Sequence, residues 1–544
     1  MKVSPGRRLS SCLLAAVAIL AAVGEAQTRG GQPAAGRGQP SAGRAVTVTD
    51  DHHDTSPALR SIVALLPEAG TPARIHPVRP LPIRRRPTNA PTRRDGSLQP
   101  APTSAMGIVA PIKGFDGIGV GLKYAIPGAP SDINGAVGLT QYVQWANEAF
   151  AVWDKTAALK STSAIVPTVY GPANGNTLWK GFKGACDDDN DGDPIVQYDK
   201  RANRWVMTQF AVADGPPYYE CIAVSTTPDA TGTYARYAFK FDQFNDYPKF
   251  GVWPDGYYAS FNMFNASNVF IGSKACAFDR SAMLAGGPAT MQCFDVKGEG
   301  GLLPADLDGI TAPPAASPEF FLNFAVDRLN LWKFHVDWKD HAKSTFTGPT
   351  AMKVPTFEPA CGGGTCISQP GSTQKLDSLA DRLMYRFAYR NFGTHQAAVV
   401  NHAVDADGHS GVRWYELRDL DGAATVYQRG TYAPDDTHRW MASIAQDKMG
   451  NMLMSFSASS GAVYPSIRVT GRNAGDPLNT LATEFNVVDG KSAQPMSRWG
   501  DYASVSVDPT DDCTFWFTAQ YNVDPAKFKW RTYIGATKFT ACGK

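Results

Sequence analysis

The sequence predicts an all-β protein in which residues 107–544 form a six- or seven-bladed β-propeller, preceded by a signal peptide at 1–26 and a disordered Pro/Arg/Gly-rich linker or pro-segment at 27–106. Three observations predict it. After Gly107, short runs of Val, Ile, Tyr, Phe and Trp alternate with Asp, Asn, Gly and Pro turns, and long helical periodicity is scarce, which is the texture of many short antiparallel strands. One hairpin recurs, a strand ending in an acidic or polar turn followed by an aromatic and apolar strand. Its copies lie roughly 45–60 residues apart, the length of a four-stranded blade. A blade is apolar on both faces and cannot bury both alone, whereas a ring of blades buries them all. A single large β-sandwich is the alternative, but it does not predict the repeat.

Taken in order, Lys2, Arg7 and Arg8 precede an apolar core from Leu13 to Val23, and Gly24-Glu25-Ala26 then supplies small residues for cleavage after Ala26. The expectation is a secreted or periplasmic protein. The apolar run is too short for an ordinary span, no later segment is long enough to be transmembrane, and Cys12 precedes the core, so it reads as signal sequence and not as a lipid anchor. Residues 27–106 lack a sustained apolar period, and their prolines remove backbone donors, so they read as disordered or extended. Within them Arg84-Arg85-Arg86 is either a solvated tail or an attractor of acidic surfaces.

The clearest hairpins are Ile195–Asp199 turning into Trp205–Thr208, Ala442–Asp447 into Leu453–Phe456, and Ser504–Asp508 into Phe515–Phe517, with weaker copies near 252–259, 321–332 and 399–414. Without Cys12, eight cysteines remain: Cys186, Cys221, Cys276, Cys293, Cys361, Cys366, Cys513 and Cys542. An even count in an exported chain points to disulfides, and pairing of sequence neighbours is the simplest arrangement. A metal site is the rival, but no pair of Cys-x-x-Cys knuckles is present. A net charge of +2 excludes a dedicated nucleic-acid binder, which carries a basic excess on its folded part. A monomer is expected.

Ser506-Val507-Asp508-Pro509 leading into Phe515-Trp516-Phe517 resembles a degenerate Asp-box hairpin of the sialidase-like propellers, and Ala223–Asp229 is similar to strands of that superfamily. The folded part also resembles a group of secreted bacterial propellers marked by Gly192-Asp193-Pro194…Tyr198-Asp199 and Arg498-Trp499-Gly500-Asp501-Tyr502. The resemblance implies the fold. The full Ser-x-Asp-x-Gly-x-x-Trp box is not intact, so sialidase activity is not carried over with it.

Three constellations could carry chemistry. Asp187, Asp189 and Asp191, followed by Gly192, match the opening of a calcium loop, in which alternate carboxylates converge on a hard cation. The glutamate expected at the loop's twelfth position is replaced by Tyr198, and a solvated acidic turn is the alternative. Asp193, Lys249, Asp306, Arg382, Arg439 and Arg498 fall at the starts of predicted innermost strands. Sialidases hold a substrate carboxylate with three arginines, and Arg382, Arg439 and Arg498 come from successive repeats; a guanidinium grips a carboxylate bidentately. These arginines could equally pair with blade aspartates. Asp193, Asp501 and Tyr502 are the catalytic candidates, since glycosidic cleavage needs two placed acid–base groups, and Trp440 and Trp499 could stack on sugar rings. No His-Glu-x-x-His, Gly-x-Ser-x-Gly or P-loop is present, which excludes the chemistries those motifs carry. The expectation is a propeller engaging an acidic glycan as glycoside hydrolase or polysaccharide lyase, with calcium and no organic cofactor. The alternative is a non-catalytic binding or adhesion propeller of the bacterial cell envelope.

Overall fold

The structure, a computed structural model, describes residues 43–542 apart from 67–73, 84–94, 103, 110–111, 123, 125, 127 and 214. The expected signal peptide with Cys12, and Arg84-Arg85-Arg86, lie outside the described residues.

The recurring hairpins become antiparallel sheets. The innermost strands of seven sheets are Ile133–Val137, Ile195–Asp199, Phe244–Val252, Leu303–Asp308, Met384–Asn391, His438–Gln446 and Ser504–Val507. Each packs against the next, and the seventh packs against the first, so the sheets close into a propeller-like ring. From each of the first six inner strands the chain meanders outward through three further strands, and from the seventh through two. The fourth and fifth sheets also touch through a parallel pairing of Leu303–Asp308 with Met384–Asn391. The described residues contain no helix long and apolar enough to cross a membrane.

The strands read as unbroken apolar runs because both faces are covered. Every residue of Tyr257–Phe264 and of Phe515–Asn522 is buried, as expected for sheets packed face to face. The core lies between sheets. Tyr142 of the first sheet stacks on Trp516 of the seventh at 5.2 Å, and Phe239 meets Phe278 edge-on between the second and third.

The acidic hairpin turns are structural. Asp199 accepts the N–H groups of Arg201 and Ala202 and the Tyr257 hydroxyl. Asp447 accepts those of Met449 and Asn451. Asp508 accepts the Thr510 N–H, the Trp516 indole N–H and the buried Lys155 ammonium. One carboxylate thus closes each turn, the local bonding that suits Asp to turns, and those of Asp199 and Asp508 also tie it to a neighbouring sheet.

Four disulfides join sequence neighbours: Cys186–Cys221, Cys276–Cys293, Cys361–Cys366 and Cys513–Cys542.

The expected disorder of 27–106 needs correction for its described parts. Val46–Thr49 pairs with the outer strand of the third sheet, and His52–Thr55 with that of the second. Asp95 forms an ion pair with the buried Arg413 and accepts from Thr431. Outer strands expose unpaired backbone groups, and a proline-poor piece such as Val46-Thr47-Val48-Thr49 can satisfy them. Lys113–Asp116 does the same for the seventh sheet, against Trp530–Thr537, so a strand from the start of the chain completes the last sheet.

Candidate functional site

The site is built where the chain swings inward to begin each inner strand. At five of these seven corners stands a non-glycine residue with positive φ: Asp132 (42°), Asp193 (48°), Tyr247 (57°), Met441 (52°) and Asp501 (70°). Asp tolerates this left-handed region, whereas Tyr and Met enter it at a cost of about 1–3 kcal/mol. Three of the inner strands break register, between Asp246 and Lys249, between Met384 and Ala388 and between Trp440 and Ser443. Strain of this kind, repeated around one end of a channel, concentrates where function is built.

Four sheets are laced together there. The Asp132 N–H donates to the Gly500 carbonyl (2.8 Å), the Tyr247 hydroxyl to the Asp501 carbonyl (3.0 Å) and the Tyr502 hydroxyl to the Pro194 carbonyl (3.1 Å). Arg498 donates to Asp377 (3.0 Å) and Asp501 (2.8 Å). Arg382 donates to Asp381 (2.7 Å) and lies over the Tyr247 ring at 4.5 Å. The Lys249 ammonium is fully buried between the rings of Tyr247 (3.5 Å) and Tyr502 (3.9 Å) and donates to the Pro248 carbonyl. The two aromatic faces solvate a cation that has lost its water.

The carboxyls outnumber the cations, and burial makes their ionisation costly. Burial, then the charges of Asp501 and Asp193, push Asp132 well above the usual carboxylate range. Asp193 is thus among the neighbouring carboxyls that make ionisation of Asp132 costly. Burial, then Asp193, lifts Asp246 to about 7. Burial likewise lifts Asp377 to about 7, against the pull of Arg498. Burial lowers Lys249 to about 8, although Asp193, Asp132 and Asp501 oppose it. Oδ1 of Asp132 and Oδ1 of Asn147 are buried with no hydrogen-bond partner. Asp193 is only half-buried and carries the network toward solvent. Such an arrangement can give up a proton and take it back near neutral pH.

Asp193, Lys249, Arg382, Arg498, Asp501 and Tyr502 lie together at this end of the ring. Others do not. Arg439 is held by Asp435 and Glu484, away from the cluster, so the three arginines do not converge. Trp440 and Trp499 are fully buried, with ring centroids 6.1 Å apart, and pack between sheets where no sugar reaches them. Asp306 pairs with Arg386. The acidic loop does not form the expected ligand set. Asp187 accepts the N–H groups of Gly181 and Lys183, while Asp191 accepts those of Val212 and Ala213. These carboxylates cap different loops, and among the described residues no three His, Cys, Asp or Glu side chains converge as ion ligands.

Asp132, Asp246, Tyr247 and Asp377 belong to the site without having been singled out. The signal for the first was present: Ser131-Asp132-Ile133 places an Asp ahead of an inner strand as Asp193-Pro194-Ile195 does.

Fold and site together define an all-β, propeller-like protein with a buried ionisable cluster at one end of its channel. No family model matches the chain, and no curated protein matches it. Among solved structures it is similar to the GH93 α-L-arabinofuranosidase of Fusarium graminearum, at 9% identity and TM-score 0.35, covering 83% of this chain and 99% of that one. An exo-β-1,3-galactanase from Clostridium thermocellum matches at 10% identity and TM-score 0.29, covering 78% and 88%. Trypanosoma rangeli sialidase matches at 10% identity and TM-score 0.29, covering 64% and 54%. Likenesses at this level do not extend to an activity.

Proposed function

We propose that this chain is an exported, seven-bladed propeller whose channel mouth is an acid–base centre acting on a glycan as hydrolase or lyase. The observation that carries the reading is the buried Asp132, crowded by the carboxyls of Asp193 and Asp501 beside the buried Lys249. Asp193, the more exposed partner, exchanges the proton with substrate, and Asp132 holds it between turns of the cycle. A glycosidase sets its two carboxyls about 5 Å or more apart, so the neighbouring Asp132 and Asp193 act as one group and Asp501 supplies the other. Tyr502, whose hydroxyl is committed to the Pro194 carbonyl, positions the second inner strand against the seventh. Arg382, Arg498 and Lys249 favour an acidic sugar by charge. The disulfides support export, because such bonds persist in oxidising compartments.

A second reading, a non-catalytic binding propeller, is favoured by one observation: Arg382, Arg439 and Arg498 are each already paired with acids of the chain.

Product mass separates the two. The folded protein is incubated with sialylated, uronic-acid-containing and neutral glycans. Products gaining water identify a hydrolase, and an unsaturated product a lyase. Asp193→Asn is expected to lower the rate at least a hundredfold without unfolding the protein. Binding without product supports the platform.

A further inference from the structure

The channel mouth is already occupied by the chain itself. Residues 74–83, Arg-Ile-His-Pro-Val-Arg-Pro-Leu-Pro-Ile, cross it in an extended path. The segment starts beside the first sheet, where Arg74-Ile75 runs parallel to Gly128-Ala129 and the His76 N–H donates to the Ala129 carbonyl. It then engages the cluster with its main chain. Arg498 donates to the His76 carbonyl at 2.7 Å, Arg382 to the Arg79 carbonyl at 3.0 Å, and the Leu81 N–H donates to Asp381 at 2.7 Å. The Arg79 guanidinium reaches Asp246 at 3.2 Å while lying over the Phe244 ring at 4.4 Å. Leu81 is buried, and Val78 packs on the core beneath. Arg74, Ile75, Pro77, Pro80 and Pro82 face outward.

These contacts are those of a bound peptide, not of a sheet strand. Pro77, Pro80 and Pro82 offer no N–H, so beyond the short pairing at Arg74-Ile75 the segment is not knitted into a ladder. Its carbonyls take the Arg498 Nε and Arg382 Nη2 donors that the ion pairs with Asp377, Asp501 and Asp381 leave over for a ligand. A proline-rich segment keeps its extended shape when released, so little entropy opposes its return.

We propose that the channel mouth is a binding site for an extended, proline-rich peptide, and that residues 74–83 fill it in cis as a displaceable strap. Any other ligand of Arg382 and Arg498 competes with the strap, so release of the strap opens the site. The inference rests on the strap's contacts and holds whether the mouth is catalytic or only binds.

The test has two arms on the full chain. In the first, hydrogen exchange is followed by mass spectrometry on the unaltered protein. The amides of Val78, Arg79 and Leu81 are expected to exchange at least a hundredfold faster than those of the inner strand Phe244–Val252, with little dependence on denaturant. Exchange of both only through a common unfolding event would make the strap a fixed wall and overturn the proposal. In the second, the double variant Arg79→Ala, Leu81→Ala is treated with phenylglyoxal. Arg382 and Arg498 are expected to react at least tenfold faster than in the unaltered chain, and a synthetic peptide of residues 74–83 is expected to restore their protection. Unchanged reactivity in a folded variant, or a peptide that fails to protect, would overturn it. The first arm decides alone should the variant not fold.

Discussion

Arg386 shows how single side chains hold the far part of the channel. Its guanidinium bonds Asp306 at 2.6 Å and Asp308 at 2.9 Å and donates to the Val505 carbonyl at 2.9 Å, all buried, with Lys200 also on Asp308. Arg386→Met leaves two buried carboxylates with one cation and is expected to cost about 3–5 kcal/mol in denaturant unfolding. The mouth behaves differently with pH. Asp246 and Asp377 keep their protons to about 7 when folded but release them near 3.8 when unfolded. Their contribution to stability is complete below pH 3.8 and is lost as pH rises through 7. The melting temperature of the double variant Asp246→Asn, Asp377→Asn is therefore expected to fall less between pH 5 and pH 8 than that of the unaltered protein. Lys249 has the opposite sign: lowered to about 8 from 10.5, it stabilises fully only above pH 10.5 and loses that contribution as pH falls through 8. Residue identity was partly legible in the sequence. Asp193 and Asp501 stand beside Gly192-Asp193-Pro194 and Gly500-Asp501, local signs of a tight corner. Arg439-Trp440 repeats Arg498-Trp499, yet Arg439 finds Glu484 and Asp435 nearby and leaves the axis. Asp435, four residues before Arg439, and Asp501, three after Arg498, are the local difference, and the distant Glu484 and Asp377 complete it.

At the scale of the element, the hairpins were legible because two demands coincide in each. Strands covered on both faces must be apolar throughout, and the turn between them needs an acceptor for its free N–H groups. Phe515-Trp516-Phe517 meets the first, and Asp508, accepting the Thr510 N–H, meets the second. The inner strand Ile133-Asn134-Gly135-Ala136-Val137 meets neither well, which is why the first sheet and Asp132 escaped notice. The strands at 46–49 and 52–55 escaped because composition averages over the prolines around them, while four residues suffice to cover an outer strand. The disulfides act at this scale too. Cys186–Cys221 closes a separation of 35 residues. Replacing both with Ser is expected to cost about 3–4 kcal/mol by chain entropy, read as a lower denaturant midpoint.

For the whole molecule, closure is the organising fact. The seventh sheet takes its outer strand, Lys113–Asp116, from before the first sheet, and Phe115 packs with Trp153 across that junction. A protein beginning at residue 130 would expose the edge of Trp530–Thr537 and the hydrophobic surface beside it. It is expected to melt lower and to self-associate, as size-exclusion chromatography with light scattering would show. Ring closure could be anticipated from a repeat whose sheets have two apolar faces. The strap could not, because Arg498 and the His76 carbonyl it holds are 422 residues apart, and no local pattern records such a contact.

On the proposed reading, the mouth formed by Asp132, Asp193, Asp501 and Lys249 performs acid–base chemistry on a glycan. This is tested most directly by the mass of products from the glycan panel, measured side by side for the unaltered chain, the strap variant Arg79→Ala, Leu81→Ala, and that variant carrying Asp193→Asn. A product gaining water or an unsaturated end is expected from the strap variant, less from the unaltered chain, and at least a hundredfold less once Asp193 is replaced. No product from a folded strap variant whose Arg382 and Arg498 are accessible to phenylglyoxal, or equal product with and without Asp193, would contradict it.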